Sequence, residues 1–357
     1  MTKSRRRALS PEAQAKFDAF LLEKVDHERQ RDVFERVWAS ISDARDDHAI
    51  TAVVGGTGVG KTNLIERVEA EAREIFKTQG APRGRLAFLR IDAAPPLHAD
   101  FRFPGFYQSI LQACDAPLAT STRSEVLQAK AIKELQNRSP IVFCVDEAQH
   151  MIYAAREIRL RRNFDTLKHI ANQATVPIVL FGTYELFDFA LLSGQLGRRF
   201  RHIPFLPYAP VAKDLGAFLG AVQALCDAMP VTCGFDVSAH CRFFFMGSCG
   251  SIGHLKPWFE RVLRRCLLEG RSRAAIEDFK REVMMTGKLT KIAKENDEGL
   301  KELRLLEGDE KELQLALGYP DEAKEPTPIK TARTTKPGQR TLQRDPVGTA
   351  RTEDKVA

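Results

Sequence analysis

Gly55-Gly56-Thr57-Gly58-Val59-Gly60-Lys61-Thr62 is the stretch whose reading decides the fold. An apolar run, Ile50-Thr51-Ala52-Val53-Val54, precedes it and reads as a short buried strand. Asn63-Leu64-Ile65-Glu66-Arg67-Val68-Glu69-Ala70 follows, with apolar residues at helical spacing. Strand, glycine-rich turn and helix N-terminus together are the context of a phosphate-binding loop. Its glycines let backbone N–H groups turn inward as an anion nest, and the helix dipole adds partial positive charge. The loop and Asn63 are therefore the expected nucleotide-binding residues. Lys61 is expected to reach the β- and γ-phosphates, and the Thr62 hydroxyl to ligate Mg²⁺. The bland alternative, a glycine-rich turn that matches by chance, does not explain the flanking elements or the motifs downstream.

The first of those motifs is Pro140-Ile141-Val142-Phe143-Cys144-Val145-Asp146-Glu147-Ala148-Gln149-His150. An unbroken apolar run suits a strand buried on both faces of a parallel sheet. Ligands of open α/β sheets bind at the C-terminal ends of the strands, so Asp146 and Glu147 are placed beside the phosphate loop. Asp146 would hold Mg²⁺ directly or through water, and Glu147 would polarise the attacking water. Two surface acids ending a strand is the plainer reading. Val176-Pro177-Ile178-Val179-Leu180-Phe181-Gly182-Thr183 is a further buried strand, and its terminal hydroxyl could sense a γ-phosphate or position the water. Ser193-Gly194-Gln195-Leu196-Gly197-Arg198-Arg199-Phe200-Arg201 places arginines just before the strand expected at 202–206. An arginine there either reaches into a neighbouring subunit's site or forms a surface ion pair.

Composition sets the outer limits. The 357 residues suit two or three domains, or one large domain with appendages, and 43% hydrophobic content supports a sizeable core. No apolar run reaches membrane-spanning length and no signal-peptide core is present, so no membrane association is expected. Seven cysteines without paired spacing read as reduced thiols of a cytoplasmic protein. Cys226, Cys233, Cys241 and Cys249 lack the close pairs of a zinc site and read better as small core residues. A formal charge of +7 is compatible with nucleic acid without requiring it.

Working outward, Lys3, Arg5, Arg6 and Arg7 open the chain as a solvated arm or a phosphate-touching tail. Ser10-Pro11-Glu12 resembles a helix start, and helical patterning to about residue 42 predicts helices beside the nucleotide fold. The glycine-loop helix should run to about Lys77, with the second strand at 86–91 and a long, potentially functional loop from Asp92 to Gly105. Helices are expected at about 106–115 and 123–137, and Arg156, Arg159, Arg161, Arg162 and Lys168 form a basic helical stretch, a solvated face or a contact. Beyond Pro210 the pattern is helical, at 211–229, 238–246, 252–268 and 274–285. A charged stretch with a weak stripe at Leu303, Leu306, Leu313 and Leu317 follows, and the basic, Thr/Pro/Gly-rich end cannot bury enough surface to fold alone.

Taken together, the phosphate loop, the Asp92–Pro96 stretch, Asp146-Glu147-Ala148-Gln149-His150, Gly182-Thr183, Gln195-Leu196-Gly197-Arg198-Arg199-Phe200 and Gly250-Ser251-Ile252-Gly253-His254-Leu255 resemble an AAA+ ATPase. The resemblance spans about residues 26 to 270 and is nearest to the transposon-encoded target-selection ATPases, the TniB/TnsC group. It implies an α/β P-loop core with a parallel sheet flanked by helices, then a small all-helical lid and a disordered basic tail. The boundaries expected are 1–25 basic arm and helix, 26–208 core, 209–286 lid, 287–318 charged helical extension and 319–357 tail. It also implies ATP and Mg²⁺ as cofactors, slow regulatory hydrolysis, and a ring or filament of this chain on double-stranded DNA. Such an assembly would mark a target and recruit or stimulate a transposase alongside other target-selection proteins. The arginine finger falls on Arg199, or on Arg198 if the register slips by one. By analogy with loops that line DNA in related ATPases, Arg102, Arg123 and Lys130 are the candidate DNA contacts. Many AAA+ lids carry an arginine where this chain has Gly253, so that sensor is missing or displaced, with Lys256 as a replacement.

Three other readings compete. A helicase would need a second RecA-like domain, which the residues after 210 do not supply. A replication initiator or loader would carry a C-terminal DNA reader, for which 273–318 is short. A nucleotide-gated switch that acts on proteins without DNA is separated from the others by a DNA-binding test.

Overall fold

The computed structural model describes residues 8–43, 50–96, 101–117, 123–152, 157–191, 200–309, 313–314 and 316–317. Strand β1 (Ile50–Val54) lies inside a five-stranded sheet with β2 (Phe88–Asp92), β3 (Val142–Asp146), β4 (Ile178–Gly182) and β5 (Phe200–Pro204), in the order β2-β3-β4-β1-β5. Every pairing is parallel. The inner strands β1, β3 and β4 are buried at every position, which is why they read as continuous apolar runs. The edge strands β2 and β5 alternate instead, because one side of each row meets partial solvent.

The pleat divides the core. Val53, Cys144, Phe181 and Ile203 face helices α2 (Glu28–Ser42) and α3 (Lys61–Thr78), through Val33, Val37, Leu64 and Val68. Ala52, Val54, Phe143, Val145 and Leu180 face the opposite way, onto α4 (Phe103–Ala113), α5 (Ser124–Arg138) and α6 (Glu157–Ala174). Parallel pairing brings all C-terminal strand ends to one edge, with Asp92 opposite Asp146 and Val54 opposite Gly182. That edge carries the phosphate loop.

After β5 and the short α7 (Phe187–Leu191) that precedes it, α8 (Ala212–Ala228), α9 (Cys241–Ser248), α10 (Ile252–Leu268) and α11 (Ile276–Glu282) enclose a separate apolar cluster. Its centre is aromatic: Phe259 and Phe279 stack edge to face at 4.8 Å, and the Trp258 indole N–H donates to the Phe279 carbonyl at 2.9 Å. One two-residue parallel pair, Thr232–Cys233 with Arg273–Ala274, interrupts the otherwise helical pattern. Cys226 and Cys266 are buried among these side chains as small apolar residues, and no group of metal-ligating side chains occurs among the described residues.

Two placements differ from the sequence expectation. The N-terminal helical pattern breaks at residues 23–27, so that α1 (Pro11–Leu22) is a separate helix. It packs on α10 instead of beside the sheet, with Phe20 buried inside the aromatic cluster, where its apolar stripe leaves water. The charged extension is helical as expected, α12 (Thr286–Glu307), but it docks on the core, with Leu303 buried against the sheet-side cluster. Strand bounds also shift: the second strand starts at Phe88 and the fifth at Phe200, where Phe200 pairs with Ile50. The described residues up to Glu307 belong to one compact unit, and those from Gly308 onward belong to a second, where Leu313 and Leu317 are exposed. The tail expected at 319–357 and the basic residues 3–7 lie outside the described residues.

Candidate nucleotide site

Gly58 and Gly60 both take positive φ, 82° and 108°, the left-handed conformation that turns the loop's backbone and starts α3. Lys61, the first residue of α3, bends its ammonium back onto the loop, donating to the Gly55 carbonyl at 2.7 Å and the Gly56 carbonyl at 3.0 Å. Burial pulls its pKa down to about 8, against the nearby charges of Glu147, Asp146 and Glu185, which favour the cation. Thr57 and Thr62 are exposed to the cleft above the loop, while Val59 is buried beneath it.

The acidic pair at the end of β3 divides into two environments. Asp146 is buried, and both its oxygens are engaged: Oδ2 accepts from Arg90 at 2.7 Å and Oδ1 from the Glu147 backbone N–H at 2.9 Å. Burial raises its pKa, although the Glu147 amide and Arg90 oppose the shift. Glu147 sits at φ 53° and presents an exposed carboxylate to the cleft. Gln149 donates to Glu147 Oε2 at 2.5 Å and accepts the Thr183 backbone N–H at 3.3 Å. The Thr183 hydroxyl donates to the Glu185 carboxylate. Thr62 and Asp146 supply hard oxygen donors of the kind Mg²⁺ takes. They fit the ion by type: Thr62 would hold it from the cleft, and Asp146, whose oxygens are both hydrogen-bonded, would do so through water.

The cleft measures about 740 Å³ and gathers residues 57–63, Glu147, Gln149 and Thr183 along its wall. Val25, His27 and Gln30 line it as well, where the 23–27 break joins α1 to α2. The His27 ring lies 3.0 Å from the Tyr208 hydroxyl, and burial pushes its pKa down to about 4. Arg29 next to it donates to the Pro207 carbonyl at 2.5 Å and to Asp214 at 2.6 Å, tying α2 to the segment that leads into α8.

Helix α10 also lines the cleft, through Ile252, Gly253 and Lys256. A Cβ at Gly253 would run into the Gly58 carbonyl oxygen, so no arginine fits there while the helix lies on the loop. Lys256 is not free to replace it: its ammonium donates to the Phe20 carbonyl and lies 3.7 Å from the centre of the Phe20 ring. Helix α12 contributes a contact the sequence did not suggest. Asn296 accepts the Tyr184 hydroxyl at 3.2 Å and stands against Gly56, while Gly299 gives room to the Tyr184 ring. The partners of Arg90 and the bridge from Gln149 to Thr183 were not legible either, because each joins residues distant in sequence.

The structure brings Lys61, Thr62, Asn63, Glu147 and Thr183 to one cleft, with Asp146 immediately behind Glu147. Arg102 and Arg123 precede the first turns of α4 and α5, and Lys130 lies on α5; all three are exposed and none lines the cleft. Arg198 and Arg199 lie outside the described residues.

A phosphate loop between β1 and α3, an acidic pair ending β3, a polar end to β4 and a helical cap docked on the loop define a P-loop protein of the AAA+ class. The model of the bacterial TniB protein family matches residues 23–209, more than half of the chain, and the chain belongs to that family. A comparison with proteins of curated function finds no match. Among solved structures the chain is similar to Drosophila ORC bound to DNA, at TM-score 0.50 and 16% identity, covering 79% of this chain and 67% of that one. It is also similar to the Aeropyrum pernix ORC2 protein in its ADP form, at TM-score 0.51 and 10% identity, covering 74% of this chain and 71% of that one. At such identities the likeness is one of fold.

Proposed function

We propose that this chain is an ATP-dependent regulator of DNA transposition. It binds ATP with Mg²⁺, self-associates on double-stranded DNA, and in that state marks a target and recruits or stimulates a transposase; slow hydrolysis to ADP and phosphate resets it. The observation that carries the reading is the single cleft that gathers Lys61, Thr62, Glu147 and Thr183 around the phosphate loop in a TniB-family chain. The DNA in the Drosophila ORC structure and the ADP of the archaeal ORC2 lend support from the same fold.

Each residue then has a role. Backbone N–H groups of residues 55–62 cradle the phosphates, and Lys61 transfers its hydrogen bonds from the loop carbonyls to phosphate oxygens. Thr62 directly and Asp146 through water would hold Mg²⁺, which would supply positive charge to the bound triphosphate. Glu147 orients the attacking water and accepts its proton, and Thr183 reports the γ-phosphate. The base lies between the 23–27 segment and α10, so the core at 26–208 and the lid at 209–286 act as two parts around one nucleotide. Arg199 of a neighbouring subunit, or Arg198, stabilises charge in the transition state. With Gly253 against the loop, the lid adds no cation of its own there, which suits slow turnover. Arg102, Arg123 and Lys130 contact DNA phosphates, giving weak sequence selectivity and strong salt dependence.

Fluorescence anisotropy on a random-sequence duplex tests this, with ATP, ADP and a non-hydrolysable analogue at two salt concentrations and Lys61→Ala as control. Tight binding that requires triphosphate, weakens with salt and disappears in Lys61→Ala is the expected result. No binding under any condition refutes the DNA reading and leaves a switch that acts on a protein partner.

A further inference from the structure

Gln149 is buried, 4% exposed as a residue, and its side-chain amide spans the gap between the end of β3 and the end of β4. Its orientation is dictated by its partners. The Thr183 N–H can only donate and so faces Oε1; the Glu147 carboxylate can only accept and so faces Nε2. Among the described residues, Gln149 is the one group that hydrogen-bonds the Glu147 carboxylate. Glu147 itself leaves the strand in a left-handed conformation at φ 53° with its side chain exposed, so without that bond its torsions would be unrestrained. Gly182 makes the bridge possible: a Cβ there would lie 2.7 Å from Gln149 Oε1.

We infer that Gln149 is a positioning residue, which fixes the Glu147 carboxylate for its work on water and ties that position to the backbone at Thr183. The inference rests on the hydrolysis reading above and deepens it. A neutral amide suits the task, since it holds a carboxylate in place without setting a full positive charge beside a group that must accept a proton. Thr183 lines the same cleft, so any shift of its backbone is passed through one rigid amide to the group that activates water. The rival account is that Gln149 only satisfies the buried Thr183 N–H.

Two substitutions in the full chain separate the accounts. Gln149→Glu keeps an acceptor for the Thr183 N–H but turns an acceptor toward Glu147; Gln149→Met removes both bonds at similar volume. Fluorescent ATP binding, single-turnover hydrolysis and melting temperature are measured for each, beside wild type and Glu147→Gln. The expected result is nucleotide affinity within about threefold of wild type and hydrolysis slower on the order of 100-fold in both variants, the cost of misplacing a catalytic group by about an ångström. A Gln149→Glu chain that hydrolyses within about threefold of wild type overturns the inference and leaves Gln149 a structural residue, even if Gln149→Met fails to fold. Wild type no faster than Glu147→Gln overturns the hydrolysis reading, and this inference with it.

Discussion

Raising the pH from about 7 to about 9 should weaken triphosphate binding roughly tenfold through Lys61 alone. Burial holds this ammonium at a pKa of about 8 instead of its ordinary 10.5, so the group begins to lose its charge in a range where other lysines keep it. About one molecule in ten is neutral at Lys61 near pH 7, about half near pH 8 and about nine in ten near pH 9. A triphosphate laid against Nζ restores the charge, so each nucleotide bound in that range takes up a proton. Apparent affinity then falls by about the factor 1 + 10^(pH−8), close to 1 at pH 7 and about 11 at pH 9, or about 1.4 kcal/mol. The effect on folding has the opposite sign. The folded pKa lies below the unfolded one, so burial costs stability below pH 8, and that cost is relieved as the pH rises from about 8 to 10.5.

Calorimetry in two buffers of different ionisation enthalpy counts the proton directly. Uptake should be about half a proton per nucleotide near pH 8 and about nine-tenths near pH 9. Lys61→Arg keeps a permanent charge and should show only the protons that the nucleotide itself exchanges. Equal proton uptake in wild type and Lys61→Arg near pH 9 would show a fully charged Lys61 in the open site and refute the argument from burial.

Gly56→Ala should lower the melting temperature because its Cβ meets Asn296, and Asn296→Ala should recover that loss in the double variant, with a coupling on the order of 1–3 kcal/mol from thermal melts. An additive pair would mean that α12 does not rest on the loop. Gly253→Ala should reduce both stability and nucleotide affinity, since the added methyl pushes α10 off the Gly58 carbonyl, by about 1–3 kcal/mol in melts. An unchanged or higher melting temperature, as alanine gives in an uncrowded helix, would contradict the docking. Folding stability should fall by about 3 kcal/mol as pH drops from about 6.5 to 4 through His27, because its folded pKa of about 4 lies below its ordinary 6.5 and only the unfolded chain gains the proton there. Comparing acid melts of wild type with His27→Gln isolates this part from the carboxylates; equal slopes would place His27 in contact with solvent.

What could be read from the sequence was local. The phosphate loop is eight consecutive residues whose spacing is itself the mechanism, and Asp146-Glu147 ends a continuous apolar run in the core. Helix α10 runs from Ile252 to Leu268 as its stripe predicts, because one face is aromatic and aliphatic throughout. The Arg90–Asp146 pair was not legible, since it depends on β2 lying beside β3 across 56 residues of chain. The bridge from Gln149 to Thr183 depends likewise on where β3 and β4 end. The docking of helix α12, itself expected as a charged helical extension, was not legible for a different reason. The helix docks through Asn296 and Gly299, a polar and a side-chain-free residue, and hydrophobic periodicity weighs neither. The same blindness sent α1 to the wrong neighbour: Phe17 and Phe20 announce a buried face without saying which apolar surface will bury it.

These misses converge on one place. Phe205 presses its carbonyl toward Gly55, Asn296 of α12 stands against Gly56, and Gly253 and His254 of α10 stand against Gly58. Segments from three parts of the chain thus rest on one phosphate loop, and each does so where a side chain on the loop would forbid it. The glycines serve two purposes at once, exposing N–H groups to an anion and admitting close neighbours. A loop packed in this way cannot open or tighten around a phosphate without moving against the segment that leads to the lid, the lid helix or α12, because interiors at this density transmit displacement instead of absorbing it. Since α1 is anchored to the lid helix by Phe20 and Lys256, it follows the lid. Nucleotide occupancy therefore has a physical route to α1 and to α12, through contacts that are steric before they are chemical.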